Sequence, residues 1–229
     1  MNDYSVPMTT IERRKGILCL ALHLFILPYA IPRLNALLSN PLSVSAVNFL
    51  FYFVSFLCIV VLLFSCLRRS LTPAFTGIHR TLRVAFFAYI ILQASTVLLS
   101  MLIRCFLPQF SNVNDQSIAM LLEENYGLIA LATVFLVPVT EETLYRGLVF
   151  GSLCPYRKVL AYTVSAVVFA AIHVVGYLGV YPGIHLLLCF LQYLPAGLTL
   201  AWAYHASGTL AAPILVHMTI NAIGLYQLR

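Results

Sequence analysis

Charge is what this sequence has least of. Of its 229 residues, 9% are Asp, Glu, Lys or Arg and seven are acids, whereas soluble globular chains carry about 25% charged residues. That shortage excludes a water-solvated globular surface. Paired cysteines are also missing: Cys19, Cys58, Cys66, Cys105, Cys154 and Cys189 stand singly in apolar segments, with no CxxC. A disulfide framework and a zinc knuckle are thereby excluded, and the six are expected to be small buried hydrophobes. No small-residue cleavage site follows the basic Arg13-Arg14-Lys15 patch, so the first apolar run reads as a retained span and not as a removed signal peptide. No internal repeat is visible, which leaves an inverted-repeat carrier using a glutamate relay without support. A net charge of +6 invites a nucleic-acid partner. Yet the basic residues sit beside apolar segments, with no basic face interleaved with exposed aromatics, and orientation in a bilayer accounts for them better.

What the chain has is hydrophobicity, 62% of its residues. The expected fold class is all-α: a polytopic transmembrane helix bundle of about seven spans. These fall near Gly16–Leu38, Ala46–Leu67, Val84–Ile103, Tyr126–Phe150, Val159–Val180, Ile184–Tyr204 and Thr209–Tyr226. Residues 1–15 read as a cytoplasmic N-terminal segment, and 16–229 as a single transmembrane domain with its catalytic core at about 126–226. Lys and Arg alternate between loops so as to predict a cytoplasmic N-terminus and an outer tail in a multi-pass membrane protein. Ser70 to Arg83 is read as a basic cytoplasmic loop. Pro108 to Tyr126 is read as an outer segment with a short interfacial helix over Ser117 to Leu122 and solvated end charges at Glu123 and Glu124. Pro28 and Pro32 predict an irregular far half of the first span, and Pro138 a loosened fourth span. His23 is expected to be packed or hydrogen-bonded, and His185 and His205 to be interfacial. Gln192, Tyr193 and Trp202 either line a cavity or, as aromatics near a boundary usually do, anchor it.

Against this background, Val139-Thr140-Glu141-Glu142-Thr143-Leu144-Tyr145-Arg146-Gly147 is anomalous. Two adjacent carboxylates and a guanidinium lie in an apolar run where charge costs a few kcal/mol even on lenient scales, which makes the stretch a functional-site candidate. Helical spacing pairs Glu142 with Arg146 and turns Glu141 away, onto the face of Tyr145. His173, His217 and Asn221 are likewise set in apolar segments, with Phe169 one turn before His173 and Asn221 one turn after His217. Unpartnered imidazoles and carboxamides in hydrocarbon are costly, so these groups are expected to converge on one polar pocket. Such a pocket suits amide hydrolysis: a carboxylate accepts a proton from the attacking water, a histidine orients that water, and a histidine with the asparagine amide meets the oxyanion. The same atoms also suit a metal, since Glu141, His173 and His217 match a Zn2+ set with an open position. No HExxH is present.

Glu141-Glu142 with Arg146, Phe169 with His173, and His217 with Asn221 resemble, in order, the Glu-Glu-x-x-x-Arg, Phe-x-x-x-His and His-x-x-x-Asn motifs of the CAAX-protease and bacteriocin-processing (Abi, Rce1-like) family of intramembrane endopeptidases. The resemblance covers about Leu136 to Ala222. It implies hydrolysis of a membrane-associated peptide or protein, prenylated CAAX-type or leader. Glu141 and His173 would activate water, His217 and Asn221 would hold the oxyanion, and Glu142, Arg146, Tyr145 and Phe169 would support the pocket. It also implies a site opening to the cytoplasmic side. No cofactor is favoured, with a divalent metal as the alternative. The competing reading is a non-catalytic immunity or scaffold protein of the same fold.

Overall fold

The computed structural model describes residues 8–228. Residues 1–7 of the expected N-terminal segment and Arg229 lie outside the described residues. Apolar chain in hydrocarbon must satisfy its own backbone polar groups, and helices do so within one segment. The described chain forms eight: α1 (Thr10–Ala36), α2 (Val44–Leu62), α3 (Phe64–Thr76), α4 (Ile78–Phe106), α5 (Val113–Leu153), α6 (Lys158–Ile172), α7 (Gly183–Ser207) and α8 (Ala211–Gln227). Six of them, α1, α2, α4, α5, α6 with its extension to Tyr177, and α7, are long and apolar enough to cross a membrane. The 17-residue α8 occupies the place of the expected seventh span, at the short end of spanning lengths. The chain is a multi-pass helical membrane protein.

Long α5 is two pieces. Asn125 leaves helical geometry (φ −154°, ψ 91°), and its Oδ1 accepts from the Leu128 N–H at 3.1 Å, so a new helix starts beside Tyr126, where the fourth span was expected. Ahead of it, the expected short interfacial helix is longer and begins at Val113, because the Asn112 side chain caps it by accepting from the Asn114 N–H at 3.0 Å. Glu124 is exposed, but it is more than a solvated charge: its Oε2 accepts from the Ser45 N–H and Oγ–H, both at 2.6 Å, in the first turn of α2. A carboxylate at a helix N-terminus complements the unpaired N–H groups there.

One expectation is corrected. Most of the supposed loop from Ser70 to Arg83 is helical, with Gly77 alone separating α3 from α4. Pro73 and Gly77 suggested a break, but apolar spacing decides for a helix: Cys66, Leu67, Ser70 and Ala74 form the buried face of α3, and Phe64, Arg68 and Phe75 the exposed one. Arg69 binds both carboxylate oxygens of Glu12 at 2.6 and 2.8 Å, tying α3 to the first turn of α1. Four of the six cysteines are buried as expected, whereas Cys105 is exposed at the end of α4. His23 is buried and hydrogen-bonded to Ser55 Oγ at 3.0 Å.

Proline sets the irregular stretches. Leu27 and Val137 donate to the carbonyls five residues back, Leu22 and Ala132, closing π turns at Leu22–Ile26 and Ala132–Leu136. In each case the next residue is a proline, Pro28 or Pro138, which has no N–H to carry either register onward. A third π segment, Glu142–Phe150, holds most of the charged motif. At its start Thr143 Oγ donates to Val139 O at 2.7 Å, taking up a carbonyl that the regular ladder would use.

Helix α7 lies against α6 at a glycine. A Cβ built on Gly197 would stand 2.6 Å from Ala166 Cα, so any side chain there forces the helices apart. We expect Gly197→Ala to cost about 1–3 kcal/mol, the usual cost of overpacking, read as a lowered unfolding midpoint in detergent. An unchanged midpoint would mean that this contact is not a constraint on the bundle.

Candidate functional site

The unusual helix from Glu142 to Phe150 packs against α6, α1 and α7, and α8 meets it at Glu142 through His217. Its Arg146 is fully buried, as is Glu142, and the two pair at 3.1 Å (Nη1 to Oε1), as their spacing predicts. The same Glu142 Oε1 accepts from His217 Nδ1 at 2.8 Å. Arg146 reaches the other way as well. Its Nη2 donates to Gly197 O at 3.2 Å and to Ala196 O at 3.4 Å, and its guanidinium carbon stands 4.4 Å from the centre of the Phe169 ring. The glycine contact of α7 with α6 thus brings two carbonyls within reach of a cation that would otherwise be stranded.

Phe169 is the hub of the aromatic packing. Its ring lies 4.7 Å from that of His173, 5.9 Å from that of His217 and 6.0 Å from that of Tyr145. His173 Nδ1 is 2.7 Å from Phe169 O. A carbonyl only accepts, so Nδ1 carries the hydrogen and Nε2 keeps its lone pair. The His173 ring stacks on Tyr193 at 4.0 Å. Tyr193 is held in turn by Asn114 Nδ2, which donates to its hydroxyl at 3.0 Å.

Glu141 is buried at 3% exposure and lies in electrostatic range of His217, Glu142 and Arg146. Among the described residues its Oε2, Glu142 Oε2, Thr140 Oγ and the Tyr145 hydroxyl find no hydrogen-bond partner. Such atoms in an apolar interior are costly unless water or substrate meets them. Asn221 is turned elsewhere: its Nδ2 donates to Thr133 O at 2.7 Å. In the π register set by Val137 and Ala132, Thr133 O is the carbonyl that Pro138 would have served had it an N–H. Asn221 fills that gap and keeps its second amide hydrogen.

The structure therefore brings together Glu142, Arg146, His217, Phe169 and His173 in direct contact, with Glu141 and Tyr145 beside them and Asn221 one turn along α8 at the π turn. The zinc alternative does not fit: among the described residues no three His, Cys, Asp or Glu side chains converge as ligands, and Glu141, His173 and His217 do not form such a set. Sequence reading missed the function of Tyr193 as the stacking partner of His173, and missed Ser165, whose Oγ donates to Tyr145 O at 3.1 Å. The sequence left Tyr193, two residues before the in-helix Pro195, between cavity lining and boundary anchor; no signal marked Ser165.

Residues 123–223 match the family model described as Rce1-like, type II CAAX prenyl endopeptidase Rce1-like. That segment, running from the start of the motif-bearing span to α8, is similar to Rce1-like (CAAX protease, Abi) domains. No curated protein and no solved structure matches the chain significantly.

The buried pair makes a stability prediction. Arg146→Met leaves the Glu142 carboxylate with His217 alone, and breaking one side of a buried pair costs about 3–5 kcal/mol. Adding Glu142→Gln should recover part of that loss, since that charge is gone. Thermal unfolding in detergent measures both; equal losses in the single and double variants would show that the two side chains are not coupled.

Proposed function

We propose that the protein is an intramembrane endopeptidase that hydrolyses a peptide bond of a membrane-associated peptide, with its N-terminus on the cytoplasmic side. One observation carries the reading. A buried carboxylate–imidazole pair, Glu142 and His217, stands beside a second buried carboxylate, Glu141, one of whose oxygens has no partner among the described residues, within a segment matching an endopeptidase domain.

In the reaction, Glu141 takes a proton from water as the water oxygen attacks the peptide carbonyl carbon. His173 accepts the water's other hydrogen through the Nε2 lone pair left by its Nδ1–H bond to Phe169 O, which orients the attack. The carbonyl oxygen gains negative charge and is met by the second amide hydrogen of Asn221 and by His217. For His217 to donate from Nε2 while its Nδ1–H is given to Glu142, both ring nitrogens must be protonated. The Glu142 carboxylate is placed to balance that charge, with Arg146 fixing the carboxylate. On collapse of the tetrahedral species the C–N bond breaks and Glu141 returns its proton to the leaving amine. No step runs through a metal.

The test is Glu141→Gln in folded, purified protein against a panel of membrane-associated peptides. Loss of the proton acceptor should lower cleavage by about 10²–10⁴-fold with the unfolding midpoint retained. An unchanged turnover rate would remove Glu141 from the mechanism. Activity is also expected to survive a strong chelator, and its loss with restoration by Zn2+ would favour a ligand set that forms only with the metal bound.

A further inference from the structure

The two ends of the bundle differ in chemistry. At one end lie the Arg13-Arg14-Lys15 and Arg157-Lys158 clusters with Arg68, Arg69, Arg80 and Arg83. They are gathered by the Glu12–Arg69 pair, by Arg80 Nε donating to Ala206 O at 3.0 Å, and by Thr209 Oγ donating to Ser70 O at 2.6 Å. The positive-inside rule makes this the cytoplasmic end. At the other end lie the segment 108–125 and the turn 173–183.

Packing between the site and these ends is unequal. Towards the basic end, Leu63, Leu144, Phe150, Leu200, Tyr204 and Leu210 are each 0 or 1% exposed and belong to one continuous core. This dry layer lies between the acid pair and the basic loops. Towards the far end, His173, Tyr193 and Asn221 are only half-buried, and a polar ladder leads away from them. Tyr193 bonds Asn114, Asn112 Nδ2 donates to Gln192 Oε1 at 2.9 Å, and Gln192 Nε2 donates to Ser100 Oγ at 3.2 Å. Farther out, the Tyr177 hydroxyl donates to Ser117 Oγ at 2.8 Å. Water and a peptide main chain can exchange hydrogen bonds with such a rim; neither has a partner in the layer of leucine and aromatic side chains.

Resting on the hydrolase reading above, we propose that the site is entered from the end carrying residues 108–125 and 173–183, opposite the basic loops. Its substrate is then an extended peptide segment presented on that face, and not a prenylated tail presented among the basic loops. Carboxamides and phenols at the rim match the donors and acceptors of an extended main chain, with Asp115 the acid in electrostatic range of Tyr193 and Tyr177.

The experiment is sided thiol labelling. In a Cys105→Ser background, which removes the exposed native thiol, His173→Cys and Asn221→Cys are treated with a membrane-impermeant maleimide in right-side-out and inverted vesicles. Thr72→Cys marks the basic end and Gln116→Cys the far end. Both site thiols should be labelled in the vesicle orientation that labels Gln116→Cys, with labelling lost in the other. Labelling in the Thr72→Cys orientation overturns the proposal, as does no labelling of either site thiol from either side. Two site positions guard against one variant failing to fold, and only variants that keep the parental unfolding midpoint are scored. Labelling needs no turnover, so failure of the entrance is distinguishable from failure of the hydrolase reading, which the Glu141→Gln assay measures separately.

Discussion

A guanidinium that cannot reach water is the constraint on which the rest of this structure depends. Arg146 is fully buried, and an arginine does not lose its charge in a protein. The fold must therefore supply a counter-ion and acceptors from several directions. Glu142 comes from its own helix, Ala196 and Gly197 carbonyls from α7, and the Phe169 face from α6. The α7 carbonyls are within reach only because Gly197 lets that helix approach so closely. Once these partners are in place, Glu142 Oε1 is fixed, His217 Nδ1 has an acceptor, and α8 is tied to α5 at the level of the acid pair.

Backbone irregularity is the second determinant, and it follows from proline. A regular helix satisfies all of its carbonyls within itself and offers none to a neighbouring side chain at little cost. Pro138 breaks that closure by removing one N–H, the chain relaxes into a π turn, and Thr133 O takes the Asn221 amide. Thr143 then occupies Val139 O with its hydroxyl as the next π segment begins. The acids therefore lie at the junction between registers, Glu141 ending an α turn and Glu142 opening a π segment. The change of register helps one carboxylate to engage Arg146 and His217 while its neighbour keeps an oxygen free. The same Pro-linked π turn at Leu22–Ile26 contains His23, bonded to Ser55 and so satisfied. A π turn alone does not make a site; the unpartnered carboxylate oxygen distinguishes the second case.

Much of this was legible in the sequence, for reasons particular to hydrocarbon. Apolar run length sets helix length, so the spans could be read within a few residues. Charge in those runs is rare enough that Glu141, Glu142 and Arg146 stood out without any structural knowledge, and the spacing of Glu142 and Arg146 sufficed to pair them. The missing parts depend on tertiary approach. Tyr193 resembled a boundary aromatic because its use is decided by Asn114, 79 residues away. Glu124 resembled a solvated charge because its partner, Ser45, belongs to another helix. Helix α3 was hidden by Pro73 and Gly77, since local breakers were weighed above the spacing of Cys66, Leu67, Ser70 and Ala74.

Hydrolysis inside a bilayer needs two opposed conditions: side chains dry enough for electrostatics to act strongly, and a supply of water. Uniformly tight packing would starve the reaction, and uniformly loose packing would leave Glu142, Arg146 and His217 solvated and weakly held. This bundle divides the two requirements along its axis. Leucine and aromatic side chains close one end around Leu144, Phe150 and Tyr204, where Arg146 and Glu142 are anchored. The other end is held by hydrogen bonds among Asn112, Asn114, Gln192 and Tyr193. Hydrogen-bonded contacts near a wet surface exchange with water at little net cost, because each broken bond is replaced by one to solvent. An apolar seal has no such exchange partner. On the hydrolase reading proposed above, this division lets the half bearing His173 exchange with water and peptide while Glu142, Arg146 and His217 keep one another as partners.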